Sequence, residues 1–258
     1  MEFLGLNLFN TSTQSTVDSN TATATYLYNR DIVFQWSSDG YDNDLTTSSV
    51  TINFGSTVEV NRFAILGHNL KDFTIFYDGT TSNTFSLTTT AATTTSDFSA
   101  NSDTSNYLRF DTVTLTSITI DMQSTHVADS EKGIGYVFAG ELDYELTHLP
   151  AASGYKPVFD VKEIKHLIGD GGSRIHTIQE KFNAMIKLTN MTKAVRDSLK
   201  SVFDRKDPFN FVPFGTSTGW DEVLRECVWP GKFDLYTFAD NSIDAGYKGS
   251  IKVEETPF

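Results

Sequence analysis

The residues best suited to chemistry lie between Trp36 and Asp44. Asp39-Gly40-Tyr41-Asp42-Asn43-Asp44 places three carboxylates and a side-chain amide within six residues. Hard oxygen ligands at that density suit Ca²⁺. The spacing departs from the helix–loop–helix calcium motif, because the sixth position is Asp44 rather than Gly and the twelfth is Val50 rather than Glu. No metal ligand set follows from it. A second chemistry is sugar binding: aromatic faces stack on sugar rings while carboxylates accept hydroxyl hydrogen bonds. Trp36, Asp39, Tyr41, Asp42 and Asp44 are therefore the candidate ligand-binding residues. Against this, Trp36 ends an apolar run, where a large aromatic fills a core.

Catalytic constellations are not found. His68 and Asn69 follow an apolar run with no nucleophile beside them, and their side chains are expected to fix a turn through backbone hydrogen bonds. His126, His148, His166 and His176 show no metal spacing. Cys227 is the only cysteine, so no intrachain disulfide forms, and its place between Glu226 and Val228 on an apolar strand reads as a small buried filler. Gly169-Asp170-Gly171-Gly172 lacks the Lys-Ser/Thr of a phosphate loop and precedes a strand, so it reads as a tight turn. The expectation is a protein that is not an enzyme and binds no cofactor, calcium being the one metal its loop would suit.

Charge separates two halves. Residues 1–150 carry eighteen Asp or Glu against five Lys or Arg, whereas residues 151–258 balance fifteen against fifteen. The whole net charge of −13 thus belongs to the first half, which nucleic acid and anionic membranes would repel. The cationic stretch Lys187 to Lys206 is interrupted by Asp197 and Asp204, and reads as a solvated helix face or an interface to an acidic neighbour. The start, Met1-Glu2-Phe3-Leu4, lacks a basic n-region, and no run is long enough to cross a membrane as a helix. A chain made and kept soluble is expected.

The elements that must position these residues are mostly strands. Tyr26–Tyr28, Asp31–Trp36, Val50–Gly55, Arg62–Leu66, Phe73–Tyr77, Tyr107–Phe110, Ser117–Met122 and Gly135–Gly140 are short apolar or alternating runs between turn signals, the pattern of an antiparallel sandwich. Thr80 to Ser105 is Thr-rich and reads as an exposed hairpin anchored by Phe85, Leu87 and Phe98. A linker with two prolines is expected over 149–158, between a domain at 1–148 and one at 159–258. In the second domain a long strand begins at Arg174. Met191, Val195, Leu199 and Val202 then predict a helix over about 190–205, capped by Thr189 or Asn190. Strands at Phe209–Phe214, Val223–Trp229, Phe233–Phe238 and Tyr247–Val253 complete an α+β arrangement.

"TINFGSTVEVNRFAILGHNLKDFTIFYDG" at 51–79, "NYLRFDTVTLTSITIDM" at 106–122 and "GIGYVFAGE" at 133–141 resemble discoidin-like (galactose-binding-like) jelly rolls, in part phage-encoded ones. "GDGGSR", "DPFNFVPF", "CVWPGKFDLY" and "YKGSIKVEE" occur in an order similar to the tail-tube, distal-tail and baseplate domains of phages. The resemblance implies a mainly β chain: an N-terminal jelly-roll sandwich and a C-terminal β-barrel or sandwich with one flanking helix. It further implies a virion structural protein of a bacteriophage tail, made in the host cytoplasm. Its partners would be copies of itself, other tail or baseplate proteins and a host surface glycan, with no nucleic-acid specificity and no membrane. The alternative is a stand-alone carbohydrate-binding module protein.

Overall fold

The computed structural model describes residues 1–10, 14–17, 21–29, 35–40, 42–87, 95–146, 154–167, 173–213, 224–238 and 246–256. In chain order the strands are β1 (Glu2–Leu4), β2 (Gln14–Val17), β3 (Trp36–Ser37), β4 (Ser48–Leu66), β5 (Leu70–Tyr77), β6 (Asp97–Phe98), β7 (Ser105–Thr125) and β8 (Gly133–Ile134). They continue with β9 (Tyr136–Gly140), β10 (Leu142–Glu145), β11 (Tyr155–Leu167) and β12 (Ser173–Met191). The helix α1 (Lys193–Arg205) precedes β13 (Phe209–Val212), β14 (Arg225–Val228), β15 (Thr237–Phe238) and β16 (Tyr247–Glu255). The protein is mainly β, with antiparallel sheets. Among the described residues no helix is long and apolar enough to cross a membrane.

The chain divides into two compact units. One holds Leu4–Leu142 and Val212–Leu224; the other holds Met1–Phe3, Asp143–Phe211 and Arg225–Pro257. The first unit is an antiparallel jelly-roll sandwich. Its larger sheet runs β2-β4-β7-β5-β6, with β9 also on β4, and β3 pairs with β8. Val50 and Ile52 point inward by strict alternation and pack with Ile118, Ile120, Trp36 and Phe63. Val50–Gly55 and Arg62–Leu66 are parts of one strand rather than two. Register shifts between Asn53 and Val58, where Gly55 takes φ 73°, bend that strand without ending it. Tyr107–Phe110 and Ser117–Met122 likewise merge into β7. Tyr26–Tyr28 is not a strand: Thr21–Leu27 winds as a 3-10 turn, which lets Ala24 and Leu27 face the core together at i, i+3. Phe85 and Phe98 anchor their segment, with Phe98 stacked on Phe73 at 4.5 Å and Phe85 on Phe110 at 4.2 Å.

The second unit is an open sheet, β10-β1-β13-β14-β16-β12-β11, and is not closed into a barrel. Phe182, Ala184, Ile186 and Leu188 bury alternate positions of β12. Phe3 lies 5.5 Å from Phe209 and 5.4 Å from Phe211. Helix α1 buries Leu199 and Val202. Its N-cap lies two residues beyond the second expected cap, Asn190, because β12 continues through Met191. Thr192 is the N-cap and accepts from the Val195 N–H at 3.3 Å. Tyr155–Val158, expected in the linker, lie in β11. The Gly169–Gly172 turn, linker residues 149–153 and residues Asp31–Phe34 fall outside the described residues.

Candidate binding tip of the jelly-roll unit

At one end of the sandwich the segment after β3 meets the β7–β8 connection. The Ser38 N–H donates to the Lys132 carbonyl at 2.8 Å, and the Lys132 N–H returns to Ser38 Oγ at 2.9 Å. Lys132 is fully buried, and its Nζ donates to the Asn43 carbonyl at 2.8 Å. Burial pushes the Lys132 ammonium pKa down, and the carboxylates of Asp44, Asp42 and Asp129 pull it back up. A single lysine charge therefore sits under the acidic loop as its internal counter-ion.

Asp44 bridges the two segments. Its N–H donates to Asp129 Oδ1 at 3.2 Å, its Oδ1 accepts from the Thr125 N–H at 3.3 Å, and its carbonyl accepts from Gln123 Nε2 at 2.5 Å. Asn43 Oδ1 accepts from the Leu45 N–H at 3.0 Å and tightens the turn. Asp39 and Asp42 are exposed, as are Asp129 and Glu131 on the facing segment. Leu45 is 92% exposed and Val127 71% exposed. The tip thus holds two bare aliphatic side chains among carboxylates, on loops tied together by hydrogen bonds.

Beside the tip, the turn after β4 is fixed by side chains as expected. The Leu70 N–H donates to His68 Nδ1 at 3.1 Å, so the imidazole is protonated on Nε2, which donates to Asn106 Oδ1 at 2.7 Å. Burial drives the His68 pKa down to about 4, the Asn106 bond opposes this, and nearby His126 adds to the lowering. Asn69 Nδ2 donates to the Glu131 carbonyl at 2.7 Å, and Asn69 Oδ1 accepts from the Gly133 N–H at 2.8 Å. Asn106 Nδ2 donates to Asn101 Oδ1 at 3.1 Å, and Asn101 Nδ2 to the Leu70 carbonyl at 2.9 Å. His68 is buried with both nitrogens engaged, so it offers no base to a bound substrate.

The sequence-derived ligand set is only partly assembled here. Asp39, Asp42 and Asp44 belong to the tip, and Tyr41 lies outside the described residues. Trp36 departs from the stacking role: it is 0% exposed in the core, so its ring has no face for a sugar. Among the described residues no three His, Cys, Asp or Glu side chains converge to hold a metal ion. Lys132, Leu45 and Val127 were not singled out by sequence reasoning. An isolated lysine in Ser130-Glu131-Lys132-Gly133 carries no local sign of burial, and its partner Asn43 is 89 residues away.

In the other unit, the cations of α1 are taken up by nearby groups, Arg205 by Asp143 of β10 at 2.6 Å. Lys193 pairs with Asp197 at 2.5 Å and Lys200 pairs with Asp204. Arg196 stacks 4.3 Å from Tyr247 and 5.0 Å from Tyr236. A shallow concavity of about 520 Å³ is lined by Asp197, Lys200, Ser201, Asp204 and Arg205. It is one face of the helix and brings no second element to a ligand.

No family model matches the chain, and no curated protein matches it in sequence. Among solved structures it is similar to chitosan-binding module 1 from a chitosanase/glucanase of Paenibacillus sp. IK-5, with TM-score 0.40 and 13% identity over 53% of this chain and 99% of that one. It is also similar to the family 32 carbohydrate-binding module of C. perfringens NanJ, solved with galactose, with TM-score 0.39 and 14% identity over 55% of this chain and 100% of that one. A likeness of this size assigns no ligand here.

Proposed function

We propose that this chain is a non-catalytic assembly subunit whose jelly-roll unit docks on other protein surfaces through the Leu45–Val127 tip. The observation that carries this is the exposure of those two side chains, 92% and 71%, on two loops tied together through Asp44 that also carry the exposed Asp39, Asp42, Asp129 and Glu131. Exposed apolar side chains on loops that also carry charged groups are a mark of a protein interface. The sequence resemblance to phage tail proteins supplies the context: a virion component of the tail tip, baseplate or an adaptor ring. The test is mass spectrometry of virions purified from the host that carries this gene, with the chain supplied as wild type or as Leu45→Asp/Val127→Asp. Wild type should copurify and the variant should not. Virions lacking the wild-type chain would overturn the reading.

A second reading is glycan binding at the same end, the activity of a carbohydrate-binding module. Its support is the outward placement of the Asp39 and Asp42 carboxylates, which can accept sugar hydroxyls. It needs an aromatic platform, for which Tyr41 is the candidate in the sequence. A glycan array followed by calorimetry with the full chain decides it. Binding that Asp42→Ala and Tyr41→Ala both remove would favour the glycan, and a blank array would exclude it.

A further inference from the structure

β12 is paired with β11 on one side and β16 on the other, and the registers define its outer face. Val158 lies beside Asn183, Lys156 beside Met185, Asp160 beside Lys181, Met185 beside Lys252, and Lys187 beside Ser250. Strand alternation puts these opposite to Phe182, Ala184 and Ile186, which are buried. Val158 is 51% exposed and Met185 42% exposed, and they are diagonal neighbours on this face. Lys156, Lys181, Lys187 and Lys252 surround them, against Asp160 and Glu254. Asp160 is held by Asn183 Nδ2, and Glu254 is bonded to Lys181 at 3.3 Å and to Lys252. The face is an apolar pair in a rim of net positive charge.

We infer that this outer face receives the acidic Leu45–Val127 tip of a second copy of the chain. The inference rests on reading the tip as a docking surface, and it names the partner. The two surfaces are matched in kind. Each has two exposed apolar side chains, one pair accompanied by lysines and the other by Asp39, Asp42, Asp129 and Glu131. The wider charge agrees, since residues 1–150 carry the entire −13. Opposite charges around a shared apolar centre set orientation and raise the encounter rate. Because the two surfaces differ, the contact is heterologous, and repeating it builds a ring or a filament. Addition of a strand at the β11 edge is disfavoured by Pro157, by the charges of Lys156 and Lys162, and by the register shift between Lys162 and Glu163. The contact is therefore face-on.

Engineered cysteines test this in the full chain. The native Cys227 is buried and does not compete. Val127→Cys and Met185→Cys, both at exposed positions, are made separately and mixed at tens of micromolar under a mild oxidant. The mixed pair should form a disulfide-linked dimer about tenfold faster than either variant alone, and the advantage should shrink with added salt. Lys187→Glu/Lys252→Glu in the Met185→Cys background should abolish it, and Asp42→Lys/Asp129→Lys in the Val127→Cys background should restore it. Equal rates for mixed and unmixed variants would overturn the second-copy assignment. If rates are equal while Leu45→Asp/Val127→Asp still removes the chain from virions, the tip docks elsewhere and only this inference falls; if that variant also copurifies, the docking reading falls with it.

Discussion

Acidification should destabilise the jelly-roll unit through His68. Its imidazole is buried, neutral, and bonded at both nitrogens, and burial sets its folded pKa at about 4 against 6.5 when free. Above pH 6.5 both folded and unfolded states hold it neutral, and the folded state suffers no penalty. Between 6.5 and about 4 the unfolded chain takes up a proton that the folded chain refuses, so stability falls as pH falls. Below about 4 both states are protonated and the loss levels off. At about 1.4 kcal/mol per pH unit, the full window costs about 3 kcal/mol. His68→Gln keeps a donor for Asn106 and cannot titrate. It should be less stable than wild type at about pH 7.5 by about 1–2 kcal/mol, since the Leu70 N–H loses its acceptor. The assay is urea unfolding at a series of pH values, read by hydrogen exchange in β5 peptides, which report this unit alone. The wild-type advantage should shrink by about 3 kcal/mol between about pH 7.5 and about pH 4 and reverse sign. Parallel curves for the two proteins across that range would refute the reasoning, as would an imidazole resonance that titrates near the free value of 6.5.

Other substitutions probe other links. Lys132→Ala leaves the carboxylates of Asp42, Asp44 and Asp129 without their internal cation and should cost the jelly-roll unit about 2–4 kcal/mol in urea unfolding. Asp78 accepts from the Thr116 N–H, the Thr116 hydroxyl and the Ser117 N–H, and these bonds outweigh burial and hold its carboxyl below the usual range. Asp78→Ala should cost about 1 kcal/mol at neutral pH, discounted for its exposure; the difference from wild type should shrink as pH falls through the folded carboxyl's pKa, in the same assay. A Cβ at Gly249 would stand 2.0 Å from the Asp234 carbonyl oxygen, so Gly249→Ala should destabilise the other unit by about 3 kcal/mol in thermal unfolding. Thr192→Ala removes the α1 cap and should cost about 1 kcal/mol.

Local pattern was legible wherever local rules decide. The alternation over Val50–Gly55 identified the inward face of Val50 and Ile52 correctly, because the strand buries one side there. The helix at Val195–Val202 followed from its period. What the sequence hid depends on distant partners. Two strands became one at Gly55 because β7 runs continuously opposite. Thr192 displaced Thr189 and Asn190 as cap because β12 runs on through Met191, with both residues at its register shift against β16 and Asn190 at φ 57°. The acidity of the loop at Asp39–Asp44 was plain, but not the cation beneath it, since Lys132 is buried only when the two loops meet. Leu45 and Val127 could not be ranked, because an aliphatic residue in a polar loop looks the same in sequence whether it folds inward or stands in solvent.

The most direct test of the docking tip is hydrogen–deuterium exchange of the chain in purified virions against the isolated chain. The account predicts slowed exchange in the peptides covering 39–47 and 126–132. Unchanged exchange in those peptides, with protection elsewhere or with the chain absent from the particle, would contradict it.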